Sequence, residues 1–204
     1  MRAKICGMTQ LVDAERAVLH GAWALGFNFY PKSPRFIDPN AAKDIIRQLP
    51  ASVLKVGIVI GIPSIKLTEL MTSTGVDLLQ VYEEMDVPLS LKKRMILAIQ
   101  ASTEEELPTH DVLNEYGYLL FDSPKLADGL MGGTGRLSHW GLASQLAKQY
   151  RLILAGGLTP ENIQDAMKTV RPYAVDVASG VQRSPGRVDP VLLTHFLKQV
   201  NDEQ

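Results

Sequence analysis

Short apolar runs alternate with longer segments in which apolar residues recur every three or four positions, and the alternation continues along the whole chain. The short runs are Ala3–Cys6, Ala24–Phe29, Leu54–Ile60, Leu78–Tyr82, Met95–Ile99, Tyr118–Phe121, Leu152–Ala155 and Ala174–Val177. Between them, Leu11–His20, Pro39–Leu49, Ser64–Thr72, Trp140–Tyr150 and Glu161–Val170 have helical spacing, as in Ile163, Ala166, Met167 and Val170. The runs are nearly continuous in apolar residues, which predicts parallel strands buried on both faces. Strand–helix alternation gives right-handed crossovers and a parallel sheet, and eight repeats predict closure into a (β/α)₈ barrel, the TIM barrel. A final helix is predicted over Asp189–Val200, with Asp189 as N-cap and Pro190 at the first helical position.

The pattern is weakest from Asp86 to Gly117, where Pro88 and Pro108 interrupt any long helix and Glu104–Glu106 reads as a solvated face. The fourth and fifth crossovers are therefore expected to be abbreviated. At 204 residues the chain is shorter than the ~250 typical of such barrels, so the other helices should be short too. No linker or composition shift divides it, and residues 1–204 read as one domain.

Composition narrows the function. A formal net charge of −1 argues against nucleic acid or an anionic membrane as partner, since both need clustered basic charge. An anionic small molecule must then be held by a local site. No apolar run approaches the ~20 residues needed to cross a bilayer, and Met1–Met8 reads as too short and too weakly apolar for a signal peptide. The single cysteine, Cys6, rules out an internal disulfide and agrees with a reducing cytosol. A monomer is the default expectation, with a homodimer if Ile60, Ile62 or Leu130 prove exposed.

In a parallel barrel, chemistry gathers where the strands end. Cys6 ends the first strand, Asp122 ends the sixth, Asp176 lies inside the eighth, and Arg35 sits in the loop after the second. Each has an ordinary alternative. A lone Cys is often a small buried apolar residue, a strand-end Asp is often a turn former or cap, and Asp176 is as readily a structural acceptor as a substrate contact. Their joint place on one rim favours function. The phosphate signal is stronger. Gly156-Gly157 follows the seventh strand and Ser179-Gly180 the eighth, the two loops where barrels commonly hold a phosphate on backbone N–H groups. Between the sixth strand and its helix, Gly132, Gly133 and Gly135 suggest a loop that folds over substrate, a plain connector being the competing reading.

These residues together resemble the phosphoribosylanthranilate isomerases of tryptophan biosynthesis. The resemblance runs through Lys4-Ile5-Cys6-Gly7-Met8-Thr9, Gly26-Phe27-Asn28-Phe29-Tyr30-Pro31-Lys32-Ser33-Pro34-Arg35, Val56-Gly57-Ile58, Asp122, Gly132-Gly133-Thr134-Gly135, Leu154-Ala155-Gly156-Gly157-Leu158-Thr159-Pro160-Glu161-Asn162 and Val175-Asp176-Val177-Ala178-Ser179-Gly180-Val181. It implies an Amadori rearrangement of N-(5-phosphoribosyl)anthranilate, a sugar-phosphate substrate, without metal or organic cofactor. It also implies Asp122 as general acid, Cys6 as general base, Arg35 on the anthranilate carboxylate and the two glycine loops on the phosphate. Gln80 matches a family position, and Asp176 is expected to be a further substrate contact. Two positions depart. A family Gln-Leu-His-Gly reads Gln80-Val81-Tyr82-Glu83, and a family Ile-Lys-Ala reads Ile96-Leu97-Ala98, which puts contacts near the anthranilate ring in question.

The chemistry makes its own demands. A thiol with a reference pKa of about 8.5 needs a depressed pKa to act as a base at neutrality, and a carboxyl group of about 3.9 needs burial or a nearby negative charge to keep its proton. Other sugar-phosphate barrel enzymes are the nearest alternative. Cys6 stands where histidine-pathway isomerases favour an aspartate, and the Lys and Glu groups for indole-ring closure have no matching arrangement. A non-catalytic phosphate-binding barrel would have no need of both Cys6 and Asp122.

Overall fold

The computed structural model describes residues 1–122 and 139–202. Among these, eight parallel strands hydrogen-bond in sequence order and close on themselves, the first pairing with the eighth. They are β1 (Arg2–Cys6), β2 (Ala24–Asn28), β3 (Leu54–Ile58), β4 (Leu78–Val81), β5 (Met95–Ile99), β6 (Tyr118–Phe121), β7 (Leu152–Leu154) and β8 (Ala174–Val177). Their near-continuous burial reflects walls wetted on neither side, as the apolar runs required.

The crossovers carry α1 (Leu11–Leu19), α2 (Pro39–Ile46), α3 (Leu67–Thr74), α4 (Leu89–Lys92), α5 (His110–Glu115), α6 (Trp140–Ala147) and α7 (Ile163–Val170), and α8 (Pro190–Asn201) ends the barrel. The fourth crossover holds a four-residue helix and the fifth a 3₁₀ turn at Glu104–Glu106 plus six-residue α5, the abbreviation that the prolines dictated. The helix expected from Ser64 begins as a 3₁₀ turn, Ser64–Lys66, before α3. α2 and α8 start alike: Asp38 and Asp189 accept hydrogen bonds from the backbone N–H groups of the first turn, with proline at the first helical position. One element has no counterpart in the sequence reading. After β8 a hairpin of β9 (Gln182–Ser184) and β10 (Arg187–Val188) turns at Pro185-Gly186, with Gly186 at φ 76°. Such a turn favours proline followed by a residue with positive φ.

Two apolar sets follow from the alternation of side chains along each strand. Ile5, Phe27, Leu79, Leu97, Phe121 and Val175 point outward under the helices. Ala24, Val56, Leu78, Ile96, Ala98, Leu120, Ile153, Ala155 and Ala174 fill the inside. The N-terminal end of the barrel is closed by aromatic rings and cations. Trp23 meets Tyr118 and Tyr173 edge-on at 5.9 Å, and the Arg2 guanidinium lies 4.3 Å from the Tyr173 ring centre. A surface hollow lined by Lys93, Tyr118, Tyr150 and Arg151 opens at that same end, away from the strand termini where the candidate chemistry lies. Ile60 and Ile62 are half-buried, and Leu130 lies outside the described residues. Among the described residues no helix is long and apolar enough to cross a membrane.

Candidate active site

Two residues beyond each interior apolar position, the same strand face reaches the C-terminal mouth. That step carries Leu78 to Gln80 and Tyr82, Leu120 to Asp122, Ala174 to Asp176, Ala98 to Gln100 and Ala155 to Gly157. On β1 the equivalent positions are Lys4 and Cys6. Cys6, Asp122, Asp176 and Gln80 therefore share one face of the closed sheet. Asp122, Asp176 and Gln80 are buried and Cys6 is half-buried.

Cys6 has space because its neighbour in register is Gly26. A Cβ on Gly26 would stand 2.9 Å from the Cys6 Sγ. Gly7, at φ 81°, plays the same part for Arg35: a Cβ there would approach the Arg35 Cδ to 2.6 Å, so the arginine lies directly over the turn after β1. Arg35 Nε donates to Gln182 Oε1 at 2.9 Å, and Gln182 Nε2 donates to the Cys6 carbonyl at 3.1 Å. The hairpin after β8 thus ties the second-strand loop to the end of β1. Gln182 belongs to an element too short to be seen in the sequence.

Lys4 was also missed as a site residue. Its side chain is fully buried inside the barrel, and Nζ donates to Asp176 Oδ1 at 2.7 Å, across the strand pair in which Lys4 and Asp176 are register partners. Burial lowers the lysine's proton affinity, yet the Asp176 carboxylate and the Cys6 thiol together raise it above the ordinary ammonium value. The Cys6 thiol goes the other way from the sequence expectation. Burial pushes its pKa up, and Lys4, though the strongest opposing influence, does not cancel that.

Tyr82 occupies the centre of the mouth. Its pKa is held well above the usual phenol range, first by burial and then by the charges of Asp122, Cys6 and Asp176. Gln80 Nε2 donates to the Tyr82 Oη at 3.1 Å, whereas the buried Gln80 Oε1 has no partner among the described residues. Both amide atoms of Gln100 are likewise buried and without a partner among the described residues. Unsatisfied buried amides are costly, and here they border the mouth. Gln100 follows directly on β5, where its orientation was not legible.

The two glycine loops are brought together. Gly156 and Gly157 have φ 85° and 65°, backbone that an L side chain rarely adopts. Asn162 clamps the turn by donating to the Gly157 carbonyl at 2.8 Å and accepting from Thr159 N–H at 2.9 Å. The Ser179–Val181 3₁₀ turn packs so tightly that a Cβ on Gly180 would lie 1.9 Å from the Leu158 carbonyl oxygen. Gly180→Ala is expected to destabilise the fold by about 1–3 kcal/mol, read as a lower thermal midpoint. Gly132, Gly133 and Gly135 lie outside the described residues.

A closed parallel barrel with titratable groups and glycine loops at its C-terminal mouth is the plan of a (β/α)₈-barrel enzyme. Comparison with known proteins narrows the class. The family model for N-(5'-phosphoribosyl)anthranilate isomerase matches residues 3–199. The chain is 38% identical over 201 residues to the N-(5'-phosphoribosyl)anthranilate isomerase of Syntrophus aciditrophicus, covering 98% of this chain and 87% of that protein. It superposes on the crystal structure of phosphoribosylanthranilate isomerase from Thermotoga maritima with a TM-score of 0.84, at 34% identity and 99% coverage of both chains. A phosphoribosylanthranilate isomerase crystallised with reduced 1-(o-carboxyphenylamino)-1-deoxyribulose 5-phosphate matches with a TM-score of 0.81, at 33% identity and 99% coverage of both. The chain belongs to the N-(5'-phosphoribosyl)anthranilate isomerase family, isomerases of tryptophan biosynthesis.

Proposed function

We propose that this protein converts N-(5'-phosphoribosyl)anthranilate into 1-(2-carboxyphenylamino)-1-deoxyribulose 5-phosphate, with Asp122 as general acid and Cys6 as general base. The observation that carries this reading is the closure of the sheet, which sets Cys6 at the end of β1 and buried Asp122 directly after β6 on the same C-terminal mouth.

The reaction needs two proton transfers at different atoms. Asp122 gives its proton to the ribose ring oxygen as the C1–O bond breaks and the anthranilate nitrogen supplies the electron pair, leaving an open-chain iminium. The positive nitrogen acidifies the C2 hydrogen. Cys6, as thiolate, removes it, and the C–H pair becomes the C1–C2 double bond of an enolamine while the C=N bond returns its electrons to nitrogen. The enol then tautomerises to the ketone, its hydroxyl proton leaving as C1 takes one up, so that product and substrate are isomers. A thiol of raised pKa is a stronger base once ionised, though less often ionised.

Arg35 projects over the first-strand turn and presents planar, bidentate donors suited to the anthranilate carboxylate. Gly156, Gly157, Ser179 and Gly180 hold the phosphate through main-chain N–H groups. Gln80 and Asp176 line the space between these ends, and Gln80 Oε1, without a partner among the described residues, is an acceptor for a sugar hydroxyl. Arg35→Met is expected to raise KM roughly 10–100-fold with a smaller change in kcat, since it removes a charge-assisted contact worth about 1.5–3 kcal/mol.

The test of the reaction is loss of anthranilate-type fluorescence when the protein meets freshly prepared phosphoribosylanthranilate. Turnover at enzymic rates supports the proposal. No turnover there, with turnover of the histidine-pathway ribotide, would replace it.

A further inference from the structure

We propose that Lys4 is a positioning residue for proton transfer at Cys6: its buried ammonium, locked in place by Asp176 across the β1–β8 pairing, is the fixed countercharge against which the thiolate forms. This rests on the role given to Cys6 above, but its first test reads the thiol itself.

A buried lysine in this layer is not explained by stability. Apart from Asp176 itself, the interior cluster contributed by the other strands is built of Ala, Val, Leu and Ile. Replacing a buried ion pair by apolar residues of similar volume is often neutral or stabilising. The Lys4–Asp176 pair brings charge to the centre of an otherwise apolar barrel, one step below the thiol. An ammonium has three donors in a tripod. One serves Asp176 at 2.7 Å, and Cys6 lies two residues on along the same strand face, so that its sulfur also acts on the ammonium.

The charges around Cys6 come from several elements. Lys4 is on the same strand, Asp176 on β8, Arg35 in the loop after β2 and Tyr82 at the end of β4, with Asp122 facing Tyr82 from the end of β6. Among them Lys4 favours the thiolate more strongly than Asp176 opposes it, and Arg35 adds a weaker push in the same sense. Substrate binding changes that balance. Once Arg35 is paired with the anthranilate carboxylate, its charge is largely neutralised, and Lys4 is the cation left to the thiolate. Lys4 itself stays protonated throughout, because Asp176 and Cys6 hold its proton affinity above the ordinary value. It is a fixed charge and neither acid nor base. Asp176 fixes its position and keeps it charged where water does not reach.

Cys6 is the only cysteine, so its alkylation is read without interference. The rate of reaction with iodoacetamide is measured against pH for the wild type, for the charge-neutral pair K4M/D176L and for K4Q, each checked for folding by circular dichroism. In any folded variant the midpoint is expected to rise by about one pH unit or more, with alkylation at pH 8 roughly tenfold slower. An unchanged midpoint in a folded variant would overturn the proposal, since a merely structural pair leaves the thiol's titration alone. In the wild type, the Lys4 ¹⁵Nζ resonance is expected to shift with the same midpoint as Cys6 alkylation, and a resonance indifferent to that titration overturns it as well. Full turnover by a Cys6→Ser variant beside a Lys4-dependent thiol midpoint would instead unseat the role of Cys6 as base.

Discussion

Asp122→Asn is expected to lower kcat by about 10²–10⁴-fold, the range that a single positioned general acid supplies. The amide matches the carboxyl group in shape, so the buried position at the end of β6 keeps its packing. The Asp122 backbone N–H, which donates to the Ile99 carbonyl at 3.0 Å, is untouched. On the proposed assignment, what disappears is a proton deliverable to the ribose ring oxygen. Ring opening then becomes the slow step, before any C–H bond breaks. Substrate deuterated at C2 should consequently react at nearly the same rate as unlabelled substrate in this variant. An Asp122→Asn protein that is folded and turns over near the wild-type rate would remove Asp122 from the chemistry.

Cys6→Ser should cost a similar factor by a different route, and C2 deuteration separates the two. A serine hydroxyl fits the space left by Gly26. It gives up its proton far less readily than a thiol, so the base is lost while the acid remains. Ring opening still proceeds, and removal of the C2 hydrogen limits the rate. A primary isotope effect should therefore be larger in Cys6→Ser than in wild type and nearly absent in Asp122→Asn. Equal isotope effects in the two variants would mean that the acid and base assignments do not divide the reaction as described.

Much of the site is legible because a buried parallel strand advertises where it stops. The runs ending at Cys6 and Phe121 place a thiol and a carboxyl group at strand termini, and closure of the sheet then puts them on one rim. The Gly156-Gly157 pair after β7 is equally readable, since backbone at φ 85° and 65° excludes most other residues, whereas Gly180 after β8 is required by the close approach of the Leu158 carbonyl. Lys4 is not readable in this way. A charged residue in a short apolar run reads as a solvent-facing position. Only the β1–β8 pairing, between residues 172 apart, sets Asp176 beside it and turns it inward. Gln182 escaped because β9 and β10 are three and two residues long, below the length at which alternation shows. The proton affinity of Cys6 went opposite to expectation for a related reason. The sequence shows a base that needs ionising, but the depth at which the mouth buries it is a property of the closed barrel.

Tyr82 is where this chain most clearly sets its own terms. Where the family resemblance implies a histidine, this chain has a phenol hydrogen-bonded to Gln80, its pKa raised by burial and by the charges of Asp122, Cys6 and Asp176. Its ring also packs against the interior apolar set. The substitution exchanges a group that titrates near neutrality for one that stays neutral there. Tyr82 should then add no titration of its own to the pH dependence of the activity near neutrality.

The most direct measurement is a crystal structure of this protein with reduced 1-(o-carboxyphenylamino)-1-deoxyribulose 5-phosphate, the ligand seen in a related isomerase. The account predicts the phosphate between Gly156-Gly157 and Ser179-Gly180, with the Cys6 Sγ about 3–3.5 Å from C2 and the Asp122 carboxyl group on the opposite side of the sugar chain. A ligand whose phosphate lies elsewhere, or whose C2 faces away from the sulfur, would contradict it.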